Sequence, residues 1–285
     1  MRKKEIVISV LVGCLLLLLG AAIYVWHVTH PKIRSSEPML RSEVVALAVD
    51  GWEYEPLTVP GAVLDGLIRI PKNPTAPWLL FFGGSGGRNL DKDRHFVERV
   101  IGGEDVGAAM WSYRGADTNC WDSLCPDAMA MVEHLRSKHG VQLEQLHVAG
   151  FSLGACYGIL LGEALAAQDK AAASTTLIGL GLAAPGVPVW AMWLVRGPSG
   201  LLAKLDSLRG PILILVGRDD SANPVEHHAR VAREILGDRV VKYLEVDGGH
   251  GAPLSDDAAI RAVRRQIVSR SHSGRPASES VRKRK

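Results

Sequence analysis

The pentapeptide Gly150-Phe151-Ser152-Leu153-Gly154 sets one serine between two glycines. A serine hydroxyl becomes a useful nucleophile only when a neighbouring base takes its proton, and that base needs a carboxylate to hold its tautomer. Ten histidines are available. His27 and His30 flank the apolar N-terminal run, His95, His134, His139 and His147 precede the serine, and His272 lies in the tail. His227 and His228 open a predicted helix and are expected to cap it or face solvent. His250 remains, in Asp247-Gly248-Gly249-His250-Gly251, where the glycines free a loop to carry its imidazole to the serine. The run Gly217-Arg218-Asp219-Asp220-Ser221-Ala222-Asn223-Pro224 offers two adjacent carboxylates. Such a trio performs acyl transfer, which passes through a tetrahedral oxyanion and so also needs backbone N–H donors held ready. Phe81-Phe82-Gly83-Gly84-Ser85-Gly86-Gly87 can present them. No Gly-Lys-Ser/Thr follows this run, which excludes a P-loop.

The elements that would position these residues alternate along the chain. Strands are predicted at Ala62 to Ile70, Trp78 to Phe82, Val106 to Tyr113, Leu146 to Ala149, Thr175 to Leu182, Pro211 to Val216 and Val240 to Val246. Helices are predicted at Asp127 to Lys138, Leu153 to Ala167, Val225 to Leu236 and Asp256 to Ser269, from apolar residues at helical spacing. Strands separated by single helices build a mostly parallel sheet with helices on both faces, and ligands gather beyond the carboxyl ends of its strands. Each chemical segment stands directly after a strand. The serine sits in a strand-to-helix turn so tight that only glycine fits two residues away, and a helix N-terminus there favours negative charge.

The order serine, acid, histidine after three successive strands resembles the α/β-hydrolase superfamily of esterases, lipases and thioesterases, over about Ala62 to Val268. The resemblance implies the α/β-hydrolase fold and a triad of Ser152, Asp220 and His250. The family's acid loop, Gly-x-x-Asp-x-x-(apolar)-Pro, selects Asp220 with Pro224 four residues on; Asn223 replaces the apolar residue, so Asp219 stays open as the acid. The oxyanion donors carry over to the amides of Leu153 and Ser85. The family loop often begins with histidine and has asparagine in its middle, so Gly83 and Ser85 depart from it and Gly84 is a second candidate. Tyr113-Arg114-Gly115 resembles a structural turn of the family. The implied activity is hydrolysis of a carboxylic ester, thioester or amide through an acyl-serine intermediate. An acyltransferase using the same triad and an inactive hydrolase-fold binding module are the alternatives. Only a short cap, around residues 183–210, separates two of the strands; its Trp190 and Trp193 are expected to touch an acyl or lipid-like substrate. No motif calls for a metal or other cofactor.

The ends of the chain read differently. Arg2-Lys3-Lys4 precedes 21 residues without a charge, Ile6 to Trp26. At about 1.5 Å per residue they span roughly 30 Å, the hydrocarbon thickness of a bilayer. Residues 1–26 are expected to be a single uncleaved transmembrane anchor, 27–41 a stalk, 42–270 the hydrolase domain and 271–285 a disordered basic tail. A cleaved signal ending near Gly20-Ala21-Ala22, or a lipoprotein acylated at Cys14, are the alternatives. The basic N-terminus orients the body outside the cytoplasm. There Cys120 and Cys125, expected in one loop, either close a disulfide or remain two thiols. Of the formal net charge of +3, residues 1–5 carry +2 and 271–285 carry +4, leaving the body at −3. Such a body has no electrostatic footprint for nucleic acid.

Overall fold

A computed structural model describes residues 39–84, 90–114, 121–181 and 201–271. Its main sheet has eight strands in the order β1-β4-β6-β5-β7-β8-β9-β10. These are β1 (Glu53–Tyr54), β4 (Gly66–Arg69), β5 (Trp78–Phe82), β6 (Gly107–Trp111), β7 (Leu146–Phe151), β8 (Ser174–Ile178), β9 (Ile212–Gly217) and β10 (Val240–Val246). β1, β4 and β6 pair antiparallel, and the remaining pairs are parallel. A hairpin of β2 (Leu57–Val59) and β3 (Ala62–Leu64) stands apart. Every residue of β5, β6, β8 and β9 is buried, which suits strands covered on both faces and explains their unbroken apolar runs.

Helices cover both faces, with an apolar core on each side of the sheet. Against one face lie α3 (Trp121–His139), α4 (Leu153–Ala167), α5 (Leu201–Leu205) and α6 (Ala229–Leu236); α1 (Arg41–Ala46), α2 (Leu90–Ile101) and α7 (Asp257–Ser271) lie against the other. Helix α4 is buried along Leu153 to Leu161, so it is apolar all round rather than amphipathic.

The expected strand at Ala62 to Ile70 is two strands. At Asp65 the chain leaves the hairpin, with its backbone N–H on Ser112 Oγ and its carbonyl taking the Ser112 N–H, and Gly66 enters the main sheet. A Cβ on Gly66 would lie 2.2 Å from the Trp111 ring. Helix α2 has no counterpart among the expected elements, because its apolar residues are interleaved with Asp91, Lys92, Asp93, Arg94, Glu98 and Arg99. Helix α3 begins at Trp121, so Cys125 is helical rather than in a loop, and its Sγ faces the Leu160 carbonyl at 3.8 Å. Cys120, and with it the disulfide question, lies outside the described residues. So do the run Ile6 to Trp26, Cys14, Ser85, Trp190, Trp193 and the tail from 272 onward. Among the described residues no helix is long and apolar enough to cross a membrane.

Candidate active site

Ser152 follows the last residue of β7 and precedes α4, with φ +54° and ψ −112°. Left-handed φ is strained for a residue with a Cβ and persists only where surrounding contacts over-determine it. Those contacts are visible. The Ser152 N–H donates to the Ile178 carbonyl at 2.8 Å, tying the turn to the end of β8. A Cβ on Gly150 would lie 2.0 Å from the Gly154 carbonyl oxygen, and one on Gly154 would lie 1.9 Å from that of Phe82. Both glycines are therefore required by backbone packing. The Leu153 amide is among the first of α4, whose N–H groups have no intrahelical acceptor.

The base and its acid reach this turn from two neighbouring strands. The loops after β9 and β10 touch through backbone: a Cβ on Gly217 would meet the Gly249 carbonyl at 2.1 Å, and Asp219 N–H donates to Gly248 O. That contact brings His250 Nδ1 to 2.7 Å from Asp220 Oδ2. The other oxygen, Oδ1, accepts from the backbone N–H groups of Ala222 and Asn223 at 3.0 and 2.8 Å. The Asp220 side chain is 1% exposed, whereas Asp219 faces solvent. The imidazole lies against the Phe151 ring, 4.9 Å centroid to centroid, and Gly179 adjoins both rings, where a Cβ would be 3.1 Å from His250 Cε1 and from Phe151. His250 and Ser152 thus both adjoin Phe151, and Ser152 bonds to Ile178, the residue before the Gly179 that His250 approaches. Among the described residues no hydrogen bond joins them directly.

The Gly-rich run meets the turn as well. A Cβ on Gly84 would lie 3.1 Å from the Phe151 ring and 3.9 Å from Ser152 Cβ. Ser85 falls outside the described residues, so the second donor is not located. Gly83 is held from two sides: Tyr113 Oη donates to its carbonyl at 2.5 Å, and the Asp93 carboxylate fills the space a Cβ would need. Burial pushes the Asp93 carboxyl up to about 7. Arg114 makes two hydrogen bonds to the buried Asp127 carboxylate, at 2.6 and 2.7 Å, and a third to the Pro60 carbonyl. This agrees with a structural role for Tyr113 and Arg114, while Gly115 lies outside the described residues.

Sequence reasoning misplaced or missed several neighbours. His228 is not a solvent-facing cap. It is 4% exposed, makes no side-chain cap to α6, and burial holds its pKa down to about 4 despite the pull of Asp220. Asn223, the departure from the family's acid loop, donates from Nδ2 to the Gly179 carbonyl and so fastens the acid loop to the strand end beside His250. Its polar type at an apolar position was the available signal. Asp93 gave none, being one charge in a charged stretch. Cys156, one turn into α4, is buried against the Gly181 carbonyl, and burial raises its thiol to about 12. His147, at the other end of β7, pairs with Ser174 Oγ as a satisfied core residue.

The chain adopts the α/β-hydrolase fold. No protein-family model matches it, and no curated protein matches it by sequence. An esterase of the archaeon Pyrobaculum calidifontis superposes with a TM-score of 0.62 at 16% identity, over 81% of this chain and 88% of that one. An esterase of Pyrococcus furiosus gives a TM-score of 0.60 at 16% identity, over 82% and 96%. A solved 2,6-dihydroxy-pseudo-oxynicotine hydrolase gives 0.58 at 16% identity, over 80% and 71%. At such identities the likeness carries the fold and not the reaction.

Proposed function

We propose that the chain is a membrane-anchored serine hydrolase that cleaves a carboxylic ester, thioester or amide through an acyl-Ser152 intermediate. The observation that carries this reading is a strained serine at a strand-to-helix turn beside a histidine whose Nδ1 is already held by a buried aspartate. With Nδ1 donating to Asp220, the Nε2 lone pair of His250 is the proton acceptor. Ser152 Oγ attacks the acyl carbon as its proton passes to Nε2, and the carbonyl oxygen becomes an oxyanion. The Leu153 N–H, and a second N–H from Ser85 in the Gly-rich loop, stabilise that charge. His250 then returns the proton to the departing alcohol, thiol or amine. Water, deprotonated by the same nitrogen, releases the acid and restores Ser152. The solved esterases of like fold support an ester as the substrate class. Trp190 and Trp193, in an apolar cap segment, and an anchor at Ile6 to Trp26 favour a lipid-like acyl group and an extracytoplasmic body.

A fluorophosphonate probe tests the nucleophile. The parent chain is expected to become covalently labelled and Ser152→Ala to lose labelling, together with about 10⁶-fold in ester turnover. Labelling that survives Ser152→Ala would remove Ser152 from the mechanism. A folded parent that takes no label and turns over no p-nitrophenyl ester would instead leave a non-catalytic binding module.

A further inference from the structure

We propose that Glu55, His134 and His139 form a binding site for one divalent first-row transition metal ion of zinc-like ligand preference, away from Ser152. Three potential ligand atoms, one from each residue, lie within 4.8 Å of one another. His134 Nε2 is 2.5 Å and His139 Nε2 3.7 Å from Glu55 Oε1. A four-coordinate zinc ion with bonds of about 2.0–2.1 Å holds its ligand atoms about 3.3 Å apart, inside that range. Two imidazoles and one carboxylate, with a water in the fourth position, form a donor set suited to zinc and its neighbours.

The second observation is His139 itself. Its side chain is 10% exposed, its Nε2 is fully buried, and that nitrogen has no hydrogen-bond partner although it is aimed at Glu55. A buried polar nitrogen left in this way is uncommon and asks for a reason. The existing network does not supply one. His134 and Lys138 both bond to the Glu55 oxygen that His139 approaches, and His139 remains beyond hydrogen-bond reach. A metal ion would use the lone pairs of both imidazoles and one carboxylate oxygen together. Lys138, half exposed, would then turn to water.

The site is also built. Glu55 is pinned through its backbone, its N–H on Gly66 O and its carbonyl on Trp111 Nε1, at 2.9 and 2.8 Å. The Trp111 ring stands edge-on to His134, and Trp78 lies against His139, at centroid distances of 5.8 and 5.9 Å. Trp78 opens β5 whereas Ser152 follows the end of β7, so the cluster does not belong to the catalytic turn. A bound ion would tie the segment after β1 to the C-terminal half of α3, a stabilising role independent of hydrolysis.

The full chain, stripped with EDTA, should bind one equivalent of Zn²⁺ in calorimetric titration at micromolar or tighter dissociation constant, and its melting temperature should rise on binding. Co²⁺ in place of Zn²⁺ should give the intense visible absorption of a four-coordinate site. His139→Ala should weaken Zn²⁺ binding by at least about tenfold. Lys138→Met keeps all three ligands, removes the competing ammonium and should tighten binding several-fold; an ion-pair network alone would make this variant merely less stable, with no Zn²⁺ effect. Absence of Zn²⁺ binding by the folded parent, or binding unchanged in His139→Ala, overturns the proposal.

Discussion

Among the described residues two carboxylates, Asp220 and Glu55, meet histidines, and they differ in what surrounds them. At the strand ends, Asp220 is 1% exposed and spends one oxygen on two backbone N–H groups and the other on His250. That leaves the outer nitrogen of a quarter-exposed imidazole beside the Ser152 turn. Beside α3, Glu55 is nearly as buried, but one oxygen serves both His134 and Lys138, and His139 points at it unpaired. Lys138, Trp78 and Trp111 lie against that cluster. Under the two proposals the same side-chain types would serve as a proton acceptor in one place and a metal-binding cluster in the other. Backbone separates them: loop amides hold Asp220, and a strained turn carries Ser152.

The largest break in this comparison is expected from the acid. Asp220→Asn should lower kcat by about 10⁴-fold by presenting His250 with the wrong tautomer, while Asp219→Asn, exposed and one residue away, should stay within a few-fold. A collapse in Asp219→Asn instead would transfer the role. Next is the turn itself. Gly154→Ala places a Cβ 1.9 Å from the Phe82 carbonyl and should lower stability by more than about 4 kcal/mol, read as a fall in the urea midpoint. An unchanged midpoint would mean that the elbow is looser than its contacts indicate.

A third contrast is titration. His228 stays neutral down to about pH 4 in the fold, whereas the unfolded chain takes the proton near the ordinary 6.5. Between those values the unfolded state binds more protons, so stability falls as pH drops from 6.5 toward 4, by up to about 3 kcal/mol. His228→Gln should flatten that slope in urea melts across the window. Asp93 works in the opposite direction, since the fold keeps its proton to about 7, so the comparison must be made as parent minus variant. The smallest expected effect is on the other pair. Glu55→Gln in metal-free protein should lower stability by about 2 kcal/mol, through loss of its charged hydrogen bonds to His134 and Lys138. No loss would mean that these contacts only break even with water.

Much of the site was legible because its constraints are local. Gly150, Ser152 and Gly154 are dictated by one turn, and the apolar runs at Trp78–Phe82 and Ile212–Gly217 declare buried parallel strands through composition alone. The helix Leu153–Ala167 and the strand Val240–Val246 were readable to the residue. Leu90–Ile101 was not, since its charged face hides a core face that only the sheet reveals, and the break in Ala62–Ile70 was marked only by the Asp65-Gly66 pair, a turn dipeptide inside an apolar run.

The amino-acid sequence by itself determined that a serine, a histidine and a carboxylate stand directly after strands, because backbone sterics and strand-end position are written in short-range spacing. Only the tertiary structure decided which of two adjacent aspartates meets His250, since the choice rests on the contact between Gly217 and Gly249 across neighbouring strands. The burial of His228 and the convergence of Glu55, His134 and His139 are likewise tertiary. Burial and long-range contact depend on what packs above a residue, and no local pattern encodes that.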